Sequence, residues 1–243
     1  MKDQITQDKK NELEFYKRMY SNLQGVEDGH CITHGYEGIY EPWKDTVKRG
    51  LLLDVGCGTG KHSLNLAKMG FRVVGVELTM EGIRAARALA KQEGVKILFI
   101  RGDVENLPFK DKAVDHSFCG LILHHFRNPD KTIREVGRVT RSHLMAFETN
   151  ALEPLTYIKF NLINRFIGIS RMSSNQRAVF PGRLKRVLGR LGFGDFKFSW
   201  IDIHRGYGGA VGKVLNLYVS LSRFLPTGYR ANKFVMWCRR TQT

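Results

Sequence analysis

The sequence predicts an α/β protein, a parallel sheet covered on both faces by helices. Three observations carry that prediction. Between residues 51 and 148, short apolar strands alternate with helices of amphipathic spacing. Glycines stand where those helices should stop, at Gly70 and Gly94. A glycine-rich turn over residues 56–60 joins the first strand to the first helix, the place where such sheets bind ligands.

Residues 1–24 carry Leu13, Tyr16, Met19 or Tyr20, and Leu23 at helical spacing, so a helix is expected there. Residues 25–50 are rich in Gly, His and Tyr, contain Pro42 and Trp43, and read mostly as loop. Leu51–Val55 is an apolar strand, and Lys61–Met69 is a helix closed by Gly70. Arg72–Glu77 is a strand, Met80–Gln92 an alanine-rich helix closed by Gly94, and Val95–Arg101 a strand. Val114–Cys119 is the fourth strand. Pro129 suits the first turn of a helix running to about Val139, and His143–Glu148 is the fifth strand. The rhythm then breaks. Leu155–Ile169 reads as a wide-faced apolar helix, followed by a polar loop. Pro181–Leu191 is a basic helix closed by Gly192, and Phe196–Ile203 alternates as a strand. A glycine loop, Gly206–Gly212, leads into an apolar and basic helix, Val214–Leu225. Phe234–Arg239 is the last strand. The sequence has no internal repeat.

The 243 residues fit one domain with an elaborated C-terminal part. Cys31, Cys57, Cys119 and Cys238 are widely spaced and form no CxxC pair. That argues against a structural zinc site and a disulfide framework, and a reduced, cytoplasmic setting is expected. The charged N-terminus, MKDQITQDKKNELE, is unlike a signal peptide, and no uncharged apolar run is long enough to span a membrane. The formal net charge of +16 is uneven. Residues 151–243 hold 16 Lys and Arg against three acids, Glu153, Asp195 and Asp202, whereas residues 1–150 hold 23 against 20. The asymmetry implies either an anionic partner for the C-terminal region or a solvated basic face.

Three chemistries compete for LLLDVGCGTG, residues 51–60. A phosphate-binding loop needs glycine at 55 and Ser or Thr at 62, where this chain has Val55 and His62. A dinucleotide fingerprint accepts Gly56 and Gly58 but meets Lys61 in place of its third glycine. What remains is Asp54, Gly56, Gly58 and Gly60 in the pattern D-x-G-x-G-x-G.

This turn is followed by VVGVELT at 73–79, GDVENLPF at 102–109 and VDHSFCGLILHHF at 114–126. In order and spacing the four motifs resemble the class I S-adenosylmethionine (SAM)-dependent methyltransferases, in particular the branch that includes ubiquinone and menaquinone methyltransferases. The resemblance runs from about Gly50 to Glu148. It implies a Rossmann-like fold whose seven-stranded, mostly parallel sheet has a C-terminal antiparallel strand. It implies SAM as methyl donor and S-adenosylhomocysteine as product. It places Gly56, Gly58 and Gly60 under the methionine part of the donor and Asp54 beneath that bend, near the ammonium. It places Glu77, followed by Leu78, at the ribose, Asp103 at the adenine amino group with Val104 at the ring, and Leu121 near the methyl. The chemistry suits Glu77, because one carboxylate can accept from both ribose hydroxyls. Asp54 and Asp103 would otherwise serve turns or caps.

The methyl of SAM is electrophilic, so the protein mainly aligns a nucleophile and excludes water. A base helps where the nucleophile is a hydroxyl or an acidic carbon. After strand four the chain reads CGLI, unlike the (N/D)PP(Y/F/W) turn of N-methyltransferases acting on adenine or glutamine. Phe118 precedes Cys119, unlike the Pro-Cys of cytosine-C5 enzymes, so Cys119 reads as a small buried residue. His124 and His125 are candidate catalytic bases, with packing or a helix start as the plainer role. His34 and Tyr36, grouped with His30 and Tyr40 in HCITHGYEGIY, are candidates to close over the donor and meet the acceptor. An aromatic loop packed on the sheet edge is the equal alternative. His204, Arg205 and Tyr207 form a weaker group.

The expected organisation is one methyltransferase domain over residues 1–243. Residues 1–44 form an N-terminal helix and lid, 45–148 the donor-binding core, and 149–243 a basic C-terminal half. That half carries acceptor-covering insertions at 149–180 and 204–230. Val214, Leu215, Tyr218, Leu221 and Leu225 fall near one side of a helix with Lys213 and Arg223 beside them. The pattern suits a helix lying on an anionic membrane surface, or a core helix with a solvated back. The expected acceptor is a small hydrophobic or anionic molecule, apolar or lipid-linked, methylated on oxygen or carbon, with no metal involved. An RNA acceptor held by the basic half and a non-catalytic donor-binding partner protein are the alternatives.

Overall fold

The computed structural model describes residues 7–21, 37–44, 46–164, 173, 175–201 and 209–241. The described strands are β1 Leu51–Val55, β2 Arg72–Glu77, β3 Leu98–Arg101, β4 Val114–Gly120, β5 Thr140–Thr149, β6 Phe193–Ile201 and β7 Lys233–Arg240. They form one sheet in the order β3-β2-β1-β4-β5-β7-β6. β1 to β5 pair in parallel, and β7 runs antiparallel to both β5 and β6. The expected α/β architecture and its antiparallel C-terminal strand are both present.

The described helices are α1 Gln7–Ser21, α2 Glu41–Lys44, α3 Lys61–Lys68, α4 Met80–Gln92, α5 Asp130–Val139, α6 Pro154–Tyr157, α7 Pro181–Gly189, α8 Gly209–Ser222 and α9 Thr227–Arg230. Successive strand residues face opposite sides of the sheet. Leu53 and Val55 of β1, Leu144 and Ala146 of β5, and Phe234 and Met236 of β7 therefore share one core with α5 and α7. Their neighbours Leu52, Met145, Phe147 and Val235 face the other side, against Leu66 of α3 and Trp43 of α2. α4 packs Ile83, Ala86 and Ala90 on Phe99 of β3. A fully buried Leu, Ile or Phe contributes roughly 1.5–3 kcal/mol, whereas an exposed ion pair contributes about 0–1. The two apolar faces therefore hold the sheet.

Several elements differ from the sequence reading. Residues 37–44 form a 3-10 turn and α2 rather than loop, because Trp43 is wholly buried on Phe71 and His116. β3 begins at Leu98 rather than Val95, and β5 begins at Thr140 rather than His143. Thr140 Oγ1 donates to Val136 O at 2.6 Å and meets Ser117 Oγ at 2.6 Å, so α5 runs straight into the strand. The helix expected over Leu155–Ile169 is α-helical for one turn, capped by Glu153, and then a π-helix over Ile158–Ile163. Residues 165–172 lie outside the described residues. α8 starts inside the expected glycine loop and ends at Ser222. Leu221 and Leu225, expected to share one side, are 58% and 43% exposed.

Strand order reverses between β1 and β4. In sheets of this type the crevice outside the C-terminal ends of the strands at that reversal receives the ligand. Among the described residues no helix is long and apolar enough to cross a membrane.

Candidate functional site

The glycine turn follows β1 at the reversal. Gly56, Gly58 and Gly60 have φ of 66°, 52° and 82°, the left-handed region that side chains rarely enter. At Gly56 a Cβ would also stand 2.5 Å from Ile122 Cδ1, so the turn and the segment after β4 can touch only through glycine. At Gly58 a Cβ would meet only the Tyr20 ring of α1 among the described residues, its hydroxyl at 3.0 Å.

Glu77, the last residue of β2, is buried beside this turn. Its Oε2 accepts from Gly58 N at 3.1 Å, and its Oε1 accepts from Thr79 N and Thr79 Oγ1, both at 2.9 Å. A carboxylate has about four acceptor positions, so Oε2 keeps room for a further hydroxyl donor. Leu78 is half-buried, and its carbonyl accepts from Arg101 Nε at 3.1 Å. Asp54 lies beneath the turn, 1% exposed, and accepts from Ser63 Oγ of α3 at 2.5 Å. Burial pushes its carboxyl up to about 7, against the pull of Ser63.

Asp103 follows β3. Its Oδ1 accepts from Glu105 N at 2.9 Å, the turn chemistry open to such a residue, and its Oδ2 accepts from Asn106 Nδ2 at 2.9 Å and Lys9 Nζ at 2.5 Å. Burial works against ionisation here, but the bonds from Lys9 and Glu105 hold the carboxyl below its ordinary value. Val104 turns into the core, 7% exposed. Leu121, after β4, sits at φ 54° and donates its N–H to Phe147 O at 2.8 Å. A left-handed leucine is strained by about 1–3 kcal/mol and persists because its surroundings fix it, a condition common at binding sites.

His124 and His125 have different surroundings. His124 is buried, with Nδ1 2.9 Å from Glu148 Oε2. An ionised carboxylate only accepts, so Nδ1 carries the proton and Nε2 is left as an acceptor. Burial pushes the imidazole down to about 4, reinforced by His125 and opposed by Glu148. Glu148 is fully buried and also accepts from Leu123 N at 2.5 Å and Thr149 N at 3.2 Å. His125 meets the Tyr16 hydroxyl at 3.0 Å and Gln176 Nε2 at 3.2 Å, with Glu12 at 3.5 Å. It ties α1 to the segment after β4. His30, Cys31, His34, Tyr36, His204, Arg205 and Tyr207 lie outside the described residues. Cys57, Cys119 and Cys238 are buried free thiols, so Cys119 is the small core residue expected.

Sequence reading missed several residues at this edge. His62 had served only to exclude a phosphate-binding loop. Its Nδ1 meets the Tyr40 hydroxyl, and its ring lies 5.0 Å from Phe118 and 6.4 Å from Phe147. Gly120 makes this fit, since a Cβ there would stand 2.9 Å from the His62 ring. Burial pushes His62 down to about 4, helped by Lys61. Lys9, Tyr16 and Tyr20 of α1, Glu148 and Lys233 were missed as well. Glu148 offered a signal, because like Glu77 it is an acid at the end of a parallel strand.

Residues 53–143 match the family model described as a methyltransferase domain, a stretch running from β1 into β5 that contains the glycine turn, Glu77 and Asp103. Residues 53–143 thus carry a domain of the class I SAM-dependent methyltransferase superfamily. Within 91 residues the chain is 35% identical to the uncharacterized methyltransferase YcgJ of Bacillus subtilis, covering 37% of this chain and 36% of that one. It is 31% identical over 110 residues to the ubiquinone biosynthesis O-methyltransferase of Rickettsia conorii, covering 45% and 38%. The match thus spans little more than a third of either relative. The crystal structure of YcgJ superposes with a TM-score of 0.66 at 19% identity, covering 86% of this chain and 100% of that one. Magnesium protoporphyrin IX methyltransferase of Synechocystis PCC 6803, with bound S-adenosylhomocysteine, superposes at 0.63 with 15% identity, covering 94% and 93%. These structures share the fold. SAM is the superfamily's cofactor, and the left-handed glycine turn beside the spare acceptor position of Glu77 suits it.

Proposed function

We propose that this protein transfers a methyl group from SAM to a small, apolar or lipid-linked acceptor, at oxygen or carbon. The observation that carries the reading is the Gly58–Glu77 contact at the strand reversal, which joins a left-handed glycine turn beneath Tyr20 with a buried carboxylate that keeps an acceptor position for a ribose hydroxyl. In this reading Gly56, Gly58 and Gly60 receive the methionine part, and Asp54 supports the turn from below. Glu77 and Leu78 take the ribose, Asp103 and Val104 the adenine, and Leu121 borders the methyl. Bound SAM supplies an electrophilic methyl, and the chain's own residues orient the acceptor and exclude water.

His124 is the better placed of the two histidine bases. Its Nδ1–H is committed to Glu148, which fixes the tautomer and leaves Nε2 to accept a proton. His125 is engaged by Tyr16 and Gln176 and reads as a tether for α1. The exposed apolar side chains Leu217, Leu221, Phe224 and Leu225 stand beside Arg223 and near Lys213, which supports peripheral contact with an anionic membrane that delivers an apolar acceptor.

Calorimetric titration with S-adenosylhomocysteine tests the donor site. Wild type is expected to bind saturably. Glu77→Ala loses hydrogen bonds to a charged group worth about 1.5–3 kcal/mol, so affinity should fall roughly 10–100-fold. Undiminished binding in that variant would refute the assignment. For the acceptor, product formation only with transfer or ribosomal RNA would replace the small-molecule reading.

A further inference from the structure

Lys233 opens β7, and because β7 runs antiparallel, its first residue arrives at the sheet edge where the parallel strands end. It pairs with Thr149 at the end of β5 and with Ile201 at the end of β6. A parallel strand would have delivered its last residue there, so the strand's direction alone brings this lysine to the ligand edge. Its Nζ lies 5.9 Å from the centroid of Phe147, whose ring is 6.4 Å from that of His62. Phe147 also accepts from Leu121 N through its carbonyl, so one residue links Lys233 to the strained residue after β4.

The ammonium is unusual for its place. Lys233 is half-buried and makes no hydrogen bond or ion pair among the described residues. Glu148 is near enough to attract it but forms no ion pair with it, accepting instead from Leu123 N, His124 Nδ1 and Thr149 N. Burial pushes the amine down to about 8, Glu148 pulls it up, and Lys159 pushes it further down. A half-buried ammonium that no protein acceptor binds has lost part of its hydration without a compensating bond. A partner anion removes that cost and gains a charge-assisted hydrogen bond.

We propose that Lys233 is an acceptor-binding residue whose ammonium takes an anionic oxygen of the acceptor, so that the acceptor is a weak organic acid whose apolar body rests on Phe147. The proposal deepens the methyltransferase reading and rests on it for the word acceptor. It narrows the substrate class from an apolar molecule to one that carries an acid group and an apolar body together. Lys159 adds positive charge nearby, and His124 feels the charge of Lys233 across the edge.

The test uses 1-naphthoate and its neutral counterpart 1-naphthamide, titrated by calorimetry into the full chain saturated with S-adenosylhomocysteine. Wild type is expected to bind the acid at least tenfold more tightly than the amide. Lys233→Met should abolish that preference by losing the acid, whereas Lys233→Arg should keep it. The preference should also fade as pH rises past the titration of the amine, with Glu148, Lys159, His124 and His62 as the other ionisable groups at that edge. Equal binding of both probes, binding of neither, or a preference that survives in Lys233→Met overturns the proposal. Unchanged S-adenosylhomocysteine affinity in Lys233→Met shows that the fold is intact. If S-adenosylhomocysteine fails to bind wild type, the donor reading has failed instead, and the probe comparison made without it still reports on Lys233.

Discussion

Asp54 and the two buried histidines pull stability in opposite directions as pH changes. The folded pKa of Asp54, about 7, lies above the ordinary value of 3.8, so the folded chain holds this proton more tightly than the unfolded chain. The stability this lends is complete below 3.8 and is lost as pH rises to about 7. His62 and His124 are lowered from 6.5 to about 4, so they favour the fold above 6.5 and lose that contribution as pH falls toward 4. Asp54→Asn keeps an acceptor for Ser63 and removes only the acid's contribution. Chemical denaturation at pH 5 and pH 8 should then show wild type losing more stability than the variant on going to pH 8, by on the order of 2–3 kcal/mol. Parallel pH profiles would show that Asp54 is not the raised group. The aspartate and its glycine neighbours were legible in the sequence, because they are contiguous. Its raised pKa was not, because that comes from the packing of α3 over it.

At the scale of elements, α1 is the piece that the sequence showed but could not place. Its apolar spacing made it a helix, yet nothing in residues 7–21 says what the helix covers. The structure lays it across the edge proposed for the donor. Tyr20 stands over Gly58 and Gly82, Tyr16 meets His125, and Lys9 bridges Asp103 at 2.5 Å and Glu105 at 2.6 Å. Burial alone would depress the Lys9 amine, but the two carboxylates outweigh it and raise its pKa. Lys9 therefore occupies the carboxylate proposed for the adenine. Lys9→Met should loosen α1, with faster amide exchange over residues 7–21 and a several-fold faster association of S-adenosylhomocysteine by stopped-flow. An unchanged association rate would mean that α1 does not gate the donor edge. α6 shows the same limit of local reading. Its apolar run predicted one long helix, and after one α-helical turn the chain passes into a π-helix whose following residue, Asn164, donates to Ser173 O at 2.7 Å.

Over the whole molecule, charge and apolar exposure gather in the C-terminal part. Among the described residues Phe224 is 88% exposed, Leu217 60% and Tyr229 52%, and residues 203–243 contain no acid. Scattered exposed apolar residues are ordinary, but several within a short acid-free segment suit an anionic lipid surface. The protein is expected to sediment with vesicles containing phosphatidylglycerol and much less with pure phosphatidylcholine. Leu221→Ser with Phe224→Ser should reduce the bound fraction several-fold, and added salt should reduce it further. Equal sedimentation of the double variant would remove this face from membrane contact.

What the sequence determined by itself was the sheet, its helices and the donor edge. The reason is local: each residue proposed for the donor sits at or directly after the end of a parallel strand, so the motif and its geometry are read together at 54–60, 77–79 and 102–104. Only the tertiary structure decided which distant residues meet at the far side of that edge. Glu148 meets His124 through the end of β5, His62 meets Tyr40 over Gly120, and Lys233 reaches Phe147 because β7 runs backwards. Those residues are far apart in the chain, and their meeting depends on strand order and direction. Four short motifs in order could therefore point to the donor, while the acid group proposed for the acceptor depends on a lysine near the other end of the chain.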